Sequence, residues 1–475
     1  MKHRTYYHRS LFGAWVKWLF FIAIAAGAFY GYNQYSSRQN FDAEKIVANS
    51  ALKAKTFDKI PEELVSPMGI KFWFMEDNTN PIISISFMFK RAGRAYDSEG
   101  KNGTAAVASE LLKLGAGDYS RAAFQEQLEL NGINLDFTAG LENLSGQVVT
   151  PAQNLRTAAE LLRASLLNPH FSDSDLKLTQ NALLGALKLQ PEKAENELNL
   201  AFSEALFGSH PYAVNPLGKE ADVKSLTVAD MKQYAALCFA KDNLIIGIAG
   251  DISAEKAKQI TDFIFADLPE NSQNEELPAP EMNLEPRTVN IERDTAQISS
   301  NFAIRGVARS DKDFYPLYIA NYIFGGSGLT SRLSLSAREK EGLTYGIYTY
   351  LSPEEKAPLV LGQFSSTPEN YEQMRKIMLK EWKKFAKKGA SAAELKAARN
   401  YLLSSYNLRF ASTDGISDML VSMQYYNLGR DFLQKRNDYI RAVTLDEVNA
   451  AAAKYFGNFP MELTIGNLNK NKGVK

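Results

Sequence analysis

Arg338 and Tyr345 stand seven residues apart in the stretch Gly325 to Tyr348, GGSGLTSRLSLSAREKEGLTYGIY. A guanidinium and a phenol both donate hydrogen bonds to negative oxygen, so together they would grip a peptide carbonyl and the oxyanion it becomes on attack. The local pattern predicts how they meet. Gly325, Gly326 and Gly328 form a glycine loop, and Leu329, Leu333, Leu335 and Arg338 follow at helical spacing. Glu341-Gly342 then turns the chain into a strand, with Tyr345 two residues inside it. If helix and strand fold back on each other, Arg338 and Tyr345 face one space. The residue types alone are also served by a surface ion pair beside a half-buried tyrosine. The glycines are no phosphate cradle, because neither GxGxxG nor Gly-Lys-Ser/Thr occurs here. They read as a helix-terminating turn, or as a loop over a peptide channel.

Other chemistries fall away. The four histidines are His3, His8, His170 and His210, and no stretch reads HxxEH or HExxH. His170 lies in the turn Asn168-Pro-His-Phe171 and His210 precedes a proline, so both read as structural. The single cysteine, Cys238, excludes an internal disulfide and a thiolate metal cluster. Its neighbours Met231, Tyr234 and Leu237 recur at helical spacing, which makes it a core thiol. Lys plus Arg equals Asp plus Glu at 54 each, so charge gives no case for a nucleic-acid partner. No Ser/His/Asp set or nucleophile elbow is present.

The elements that must position the Arg/Tyr pair come in two copies. With 475 residues and 45% hydrophobic content the chain can bury large cores. Ile82 to Lys90 and Ala296 to Arg305 alternate as strands, and each is followed by a charged break and an apolar helix, Thr104 to Leu114 and Tyr315 to Phe324. Glycines end each helix, at 115–117 and 325–328. Second helices follow, Ser120 to Leu130 and Thr330 to Lys340, and then turns whose glycines, Gly132 and Gly342, are offset by 342 minus 132, or 210. Thr150-Pro151 and Thr367-Pro368 open further helices, and Ser172 and Ser391 carry N-cap signatures before long ones. Thr227 and Thr444 match near the end of each half, so the offset drifts to 444 minus 227, or 217, as an insertion near Ser352 to Pro358 would cause. Two tandem homologous α+β domains with antiparallel or mixed sheets packed by helices follow from this duplication.

The N-terminus carries an address. Lys2, Arg4, Arg9 and Lys17 precede an uncharged run from Trp18 to Ser37, with its basic flank inside and the remainder exported. The run is read as a retained signal anchor. Ala26-Gly27-Ala28 offers the alternative of a cleaved signal peptide. The organisation is then a cytoplasmic basic tail (1–17), the anchor or signal (18–37), a stalk (38–57), an N-terminal domain (58–269), a linker (270–288), a C-terminal domain (289–469) and a tail (470–475). It places the protein at a bacterial inner membrane facing the periplasm, or makes it periplasmic or secreted if the segment is cut.

The duplicated half, RAG at Arg91 to Gly93, HPY at His210 to Tyr212 with Gly218, GD at Gly250-Asp251, and SRL...R.....Y in the second half together resemble the insulinase/pitrilysin family of zinc peptidases, including the mitochondrial processing peptidases. The likeness covers roughly Asp58 to Asn467. It implies a zinc site of His-x-x-Glu-His on the first helix plus a distant Glu. This chain departs there: the four positions hold Ala106, Ser109, Glu110 and Ala186. One carboxylate on an alanine-rich helix reads as packed or partly solvated. The resemblance therefore implies no cofactor bound by this chain, with Zn²⁺ on a homologous HxxEH-bearing partner. It also implies that Arg338 and Tyr345 complete the partner's active site on an extended peptide. The chain would be the non-zinc subunit of a heterodimeric metallopeptidase. The alternative is a structural or assembly subunit of a membrane-associated complex.

Overall fold

The computed structural model describes residues 59–468. Its first sheet has six strands, β1 (Glu62–Val65), β2 (Lys71–Glu76), β3 (Ile82–Lys90), β4 (Asn134–Ala139), β5 (Asn143–Pro151) and β6 (Leu244–Gly250), in the order β1-β2-β6-β3-β5-β4. The second has five, β7 (Thr288–Ile291), β8 (Ile298–Arg305), β9 (Gly346–Ser352), β10 (Leu359–Ser366) and β11 (Met461–Ile465), in the order β7-β11-β8-β10-β9. The last five places of the first sheet repeat the second sheet's topology. In each, one join is parallel, β2 to β6 and β7 to β11, and the others are antiparallel. This is the mixed α+β architecture that the duplication predicts.

Helices of the first half are α1 (Thr104–Leu111), α2 (Arg121–Leu130), α3 (Leu155–Leu167), α4 (Asp173–Leu189), α5 (Ala194–Phe207), α6 (Glu220–Ser225), α7 (Val228–Cys238) and α8 (Ala254–Phe265). Those of the second are α9 (Phe314–Asn321), α10 (Arg332–Ser334), α11 (Tyr371–Lys388), α12 (Ala392–Ser404), α13 (Thr413–Tyr425), α14 (Phe432–Ala442) and α15 (Leu445–Tyr455). The cap signatures act as read. Ser172 caps α4 by accepting from Asp175 N–H, while Thr227, Ser391 and Thr444 each form a capping box, with Asp230, Glu394 and Glu447. Gly132 and Gly342 both have φ near +60°, a left-handed turn that a side chain would strain. Helix α11 buries Tyr371, Met374, Met378, Trp382 and Phe385, one stripe of a 3.6-residue period, against the second sheet's core.

The two halves exchange helices. Helix α13, from the second half, covers β2, β3 and β6 of the first sheet, and α5, from the first half, covers β8 and β11 of the second. Polar strand residues find partners under these helices. Ser84 and Ser86 meet the Ser417 hydroxyl at 2.7 and 2.8 Å, Ser86 donates to Asp418 at 2.6 Å, and Gln424 donates to the Ile246 carbonyl at 2.8 Å. On the other side Asn301 donates to Asn199 at 2.7 Å, and Leu198, Phe202 and Leu206 pack on Ala303, Leu359, Met461, Leu463 and Ile465. Each such apolar side chain contributes about 1.5–3 kcal/mol on burial. Among the described residues no helix is long and apolar enough to cross a membrane. The anchor or signal at 18–37 lies outside the described residues.

Candidate functional site

Helix α1 begins under a carboxylate. Asp97 accepts from Gly103 and Ala105 N–H at 2.7 and 2.9 Å, and the helix then packs on α4. Ala106 is half-buried, Ser109 is buried with its hydroxyl donating to the Ala106 carbonyl at 2.9 Å, and Glu110 is exposed and 3.1 Å from Lys113. Burial pulls the Lys113 ammonium down, but Asp136 and Glu110 outweigh it and hold the pKa above the usual lysine range. Ala186 is exposed on α4. Two methyl groups, a hydroxyl bonded to its own helix and one carboxylate tied to a lysine do not fit Zn²⁺. Among the described residues no group of three or more His, Cys, Asp or Glu is placed to hold a metal ion.

The two histidines among the described residues are occupied structurally. The His210 ring accepts from Tyr212 N–H at 3.2 Å and donates from Nε2 to the Pro278 carbonyl at 3.1 Å. His170 Nε2 lies 2.6 Å from the Gly117 carbonyl, closing the turn at the end of α3. Cys238 is buried, which pushes its thiol up to about 12, so no thiolate is available.

The Arg/Tyr segment is organised differently from its sequence reading. The run 330–340 is not one helix. A π-helical turn, Tyr322–Gly326, leads to a 3₁₀ turn, the short α10 and a second π-helical turn, Leu335–Glu339, that carries Arg338. Gly328 at φ +61° breaks the path, and the Ser331 hydroxyl caps α10 at Ser334 N–H, 3.2 Å away. Gly325 is buried where a Cβ would lie 2.3 Å from Thr349 Oγ1, so this glycine is needed for close approach to β9. Gly326 packs near Asn321, and Gly328 alone has open space around it. Tyr345 precedes β9 rather than standing two residues inside it.

Arg338 and Tyr345 sit on a fixed backbone with free side chains. Gly342 N–H donates to the Arg338 carbonyl and Leu343 N–H to the Ala337 carbonyl, both at 3.0 Å, folding the strand back on the helical turn. Buried Thr344 donates to the Ser365 carbonyl at 2.5 Å and accepts from Gly346 N–H at 3.0 Å, while Ser366 donates to the Leu343 carbonyl at 2.6 Å. Yet Tyr345 is 78% exposed, without a hydrogen bond or ring contact among the described residues. Arg338 is 39% exposed and its closest ionic neighbour is the adjacent Glu339, at 3.8 Å.

Arg332, which the motif contains but chemistry does not single out, is the anchor of this segment. Its guanidinium donates through Nε and Nη2 to both Glu394 oxygens at 2.5 and 2.7 Å and stacks over Phe385 at 5.0 Å. Burial alone would raise the Glu394 carboxyl; the Arg332 fork and the Ser391 donors reverse this and hold it at about 2. A motif Arg immediately after a Ser N-cap, ahead of a capping-box Glu on a later helix, was the available signal.

The duplicated mixed α+β fold, with Ala106, Ser109 and Glu110 on its first helix and the Arg338/Tyr345 segment ahead of β9, defines a zinc-peptidase-like chain. Residues 74–218 match the family model described as Insulinase (Peptidase family M16), and residues 225–402 match Peptidase M16 inactive domain. The chain belongs to this family. It is 23% identical over 380 residues to the Helicobacter pylori protein named non-peptidase homolog YmxG, covering 79% of this chain and 87% of that one. It is also 23% identical over 305 residues to the Bacillus subtilis uncharacterized zinc protease YmxG, covering 63% and 72%. The fold is that of the crystal structure of a peptidase M16 inactive domain from Pseudomonas fluorescens, at TM-score 0.80 and 24% identity over 86% of this chain and 98% of that one. A Helicobacter pylori protease aligns at TM-score 0.76 with 17% identity, covering 85% and 99%.

Proposed function

We propose that this chain is the non-zinc subunit of a two-chain M16 metallopeptidase, contributing Arg338 and Tyr345 to the active site of a homologous HxxEH-bearing partner. The observation that carries the reading is the exposure of this pair on a backbone pinned by Thr344 and Ser366. A large phenol held in water by a rigid turn has no role in its own core, whereas in a second chain's cleft it would donate to negative oxygen without reorganisation. An extended peptide would lie along the outer edge of β9, which pairs only with β10, so that backbone rather than side chain is read. Tyr345 would meet its carbonyl, Arg338 would stabilise the charge that develops there, and Gly328 would leave room for the chain. Zinc would supply the activated water from the partner's side. We place the complex at the bacterial inner membrane or in the periplasm, on the strength of the N-terminal basic and apolar pattern.

The test is purification of the full chain from its native host with whatever accompanies it, followed by zinc analysis and cleavage of an unstructured peptide with and without chelator. Zinc on a second family member, with chelator-sensitive cleavage, supports the split site. A second reading, a non-catalytic assembly subunit, is favoured by the match to an inactive-domain model and by the relative's name, non-peptidase homolog. Zinc-free complexes without cleavage would leave that reading in place.

A further inference from the structure

Two arginines without a carboxylate partner share a cavity of about 230 Å³ in the second half, walled by the loop after β8 and by α9, α13 and α14. Arg436 is only 5% exposed, and Arg309 is half-buried. Neither forms an ion pair among the described residues, and no Asp or Glu lines the cavity. Arg309 makes no hydrogen bond there either; its guanidinium lies 4.0 Å over the Phe314 ring and 5.4 Å from Phe432. Arg436 lies 3.6 Å over Tyr406 and spends Nη1 on the Leu402 carbonyl and Asn437 Oδ1, both at 3.1 Å.

Burial pulls both guanidiniums below the usual arginine range, with only tyrosines opposing it. Of the nearby acids, Asp431 pairs with Lys435 and Asp438 with Arg441 at 2.7 Å, while Glu354 lines the adjoining cavity rather than this one. One buried and one half-buried cation that no internal anion neutralises are unfavourable unless a ligand supplies the charge. The hydroxyls of Tyr315, Tyr318 and Ser422 add donors around them, and aromatic stacking fixes the guanidinium planes in advance. The cavity also shares Ser422 and Tyr426 with the larger space between the halves, giving it a way in.

We infer that Arg309 and Arg436 form an internal oxyanion site, taking either a carboxylate on a peptide lying in the adjoining space or free inorganic phosphate. The site stands whether or not Arg338 and Tyr345 reach a partner's zinc, because it needs only this chain. It is tested on the full chain by calorimetric titration and thermal unfolding at fixed ionic strength, against chloride. The probes are sodium phosphate, acetyl-Ala-Ala-Glu-amide and its Gln counterpart. At least one anion is expected to bind and to raise the unfolding temperature, with Arg309→Gln weakening it tenfold or more. Binding of the Glu but not the Gln peptide assigns the carboxylate source, and binding of phosphate alone assigns the free ion. Should Arg309→Gln fail to fold, Tyr318→Phe, which keeps its ring stacked on Phe314, is expected to weaken binding several-fold. No heat and no stabilisation from any probe, or affinities unchanged in both variants, overturns the site.

Discussion

At the four altered positions nothing is left for a metal: on α1 Ser109 returns its hydroxyl to Ala106 and Glu110 pairs with Lys113, while Ala106 and, on α4, Ala186 present methyl groups. In the second half Tyr345 has no side-chain partner among the described residues and Arg338 has only the adjacent Glu339, at 3.8 Å, although the backbone beneath them is held by buried hydroxyls. The difference separates two kinds of retained residue. On the proposed split site, groups that serve the fold are buried or paired, whereas groups that would serve another molecule stay exposed on a backbone held from beneath.

The sharpest way to break this contrast is to remove the pair. In the complex with a zinc-bearing subunit, Arg338→Ala with Tyr345→Phe is expected to lower kcat/KM by about 10²–10³-fold, measured on an unstructured peptide. Unfolding of the isolated chain should shift by no more than about 0.5 kcal/mol. A large loss of stability instead would mean that the pair serves packing and that the contrast is false.

Arg332 provides the opposite control, a motif residue that works within the chain. Arg332→Ala is expected to cost about 2 kcal/mol, read by denaturant unfolding, and to lower activity only by loosening the segment. The carboxyl of Glu394 is depressed from 4.5 to about 2 in the fold, so its contribution is fully present above about pH 4.5 and is lost as pH falls towards 2. The difference between wild type and Arg332→Ala should therefore shrink across that window to what the stacking of Arg332 on Phe385 contributes.

Gly325→Ala tests the close approach to β9. A methyl group 2.3 Å from Thr349 Oγ1 and 2.9 Å from its N has to displace the strand, at a cost of about 1–3 kcal/mol. Smallest of all, Glu110→Gln should change stability by less than about 0.5 kcal/mol, because an exposed pair contributes little. A larger loss would mean that α1 still depends on that carboxylate.

Much of this was legible because it is periodic or local. The capping boxes at Ser391 and Thr444, the turn glycines Gly132 and Gly342 and the strand at Ile82–Lys90 all follow from short-range rules, and the structure places each of them as read, although β3 is buried on both faces rather than one. The insertion near Ser352 to Pro358 is the longer β9–β10 connection. What failed was the helix at 330–340, where Leu329, Leu333 and Leu335 keep helical spacing but Gly328 and the Ser331 cap divide it, leaving Leu329 and Leu335 exposed. The partners of Ser84, Ser86 and Asn301 were also out of reach. Alternation says that such residues share a face, but only tertiary structure says that a helix from the other half covers it.

That exchange has a consequence for how the chain is made. Ser417 is made 417 minus 250, or 167, residues after β6 completes the first sheet at Gly250, so at about 5–20 residues per second that sheet waits roughly 8–33 s for its cover. During that interval Trp73, Met75 and Ala249, which end up beneath Ile416 and Leu420, face the solvent or a chaperone. The N-terminal half made alone would keep that face open permanently, and the finished protein is then a product of the whole message rather than of two successively completed units.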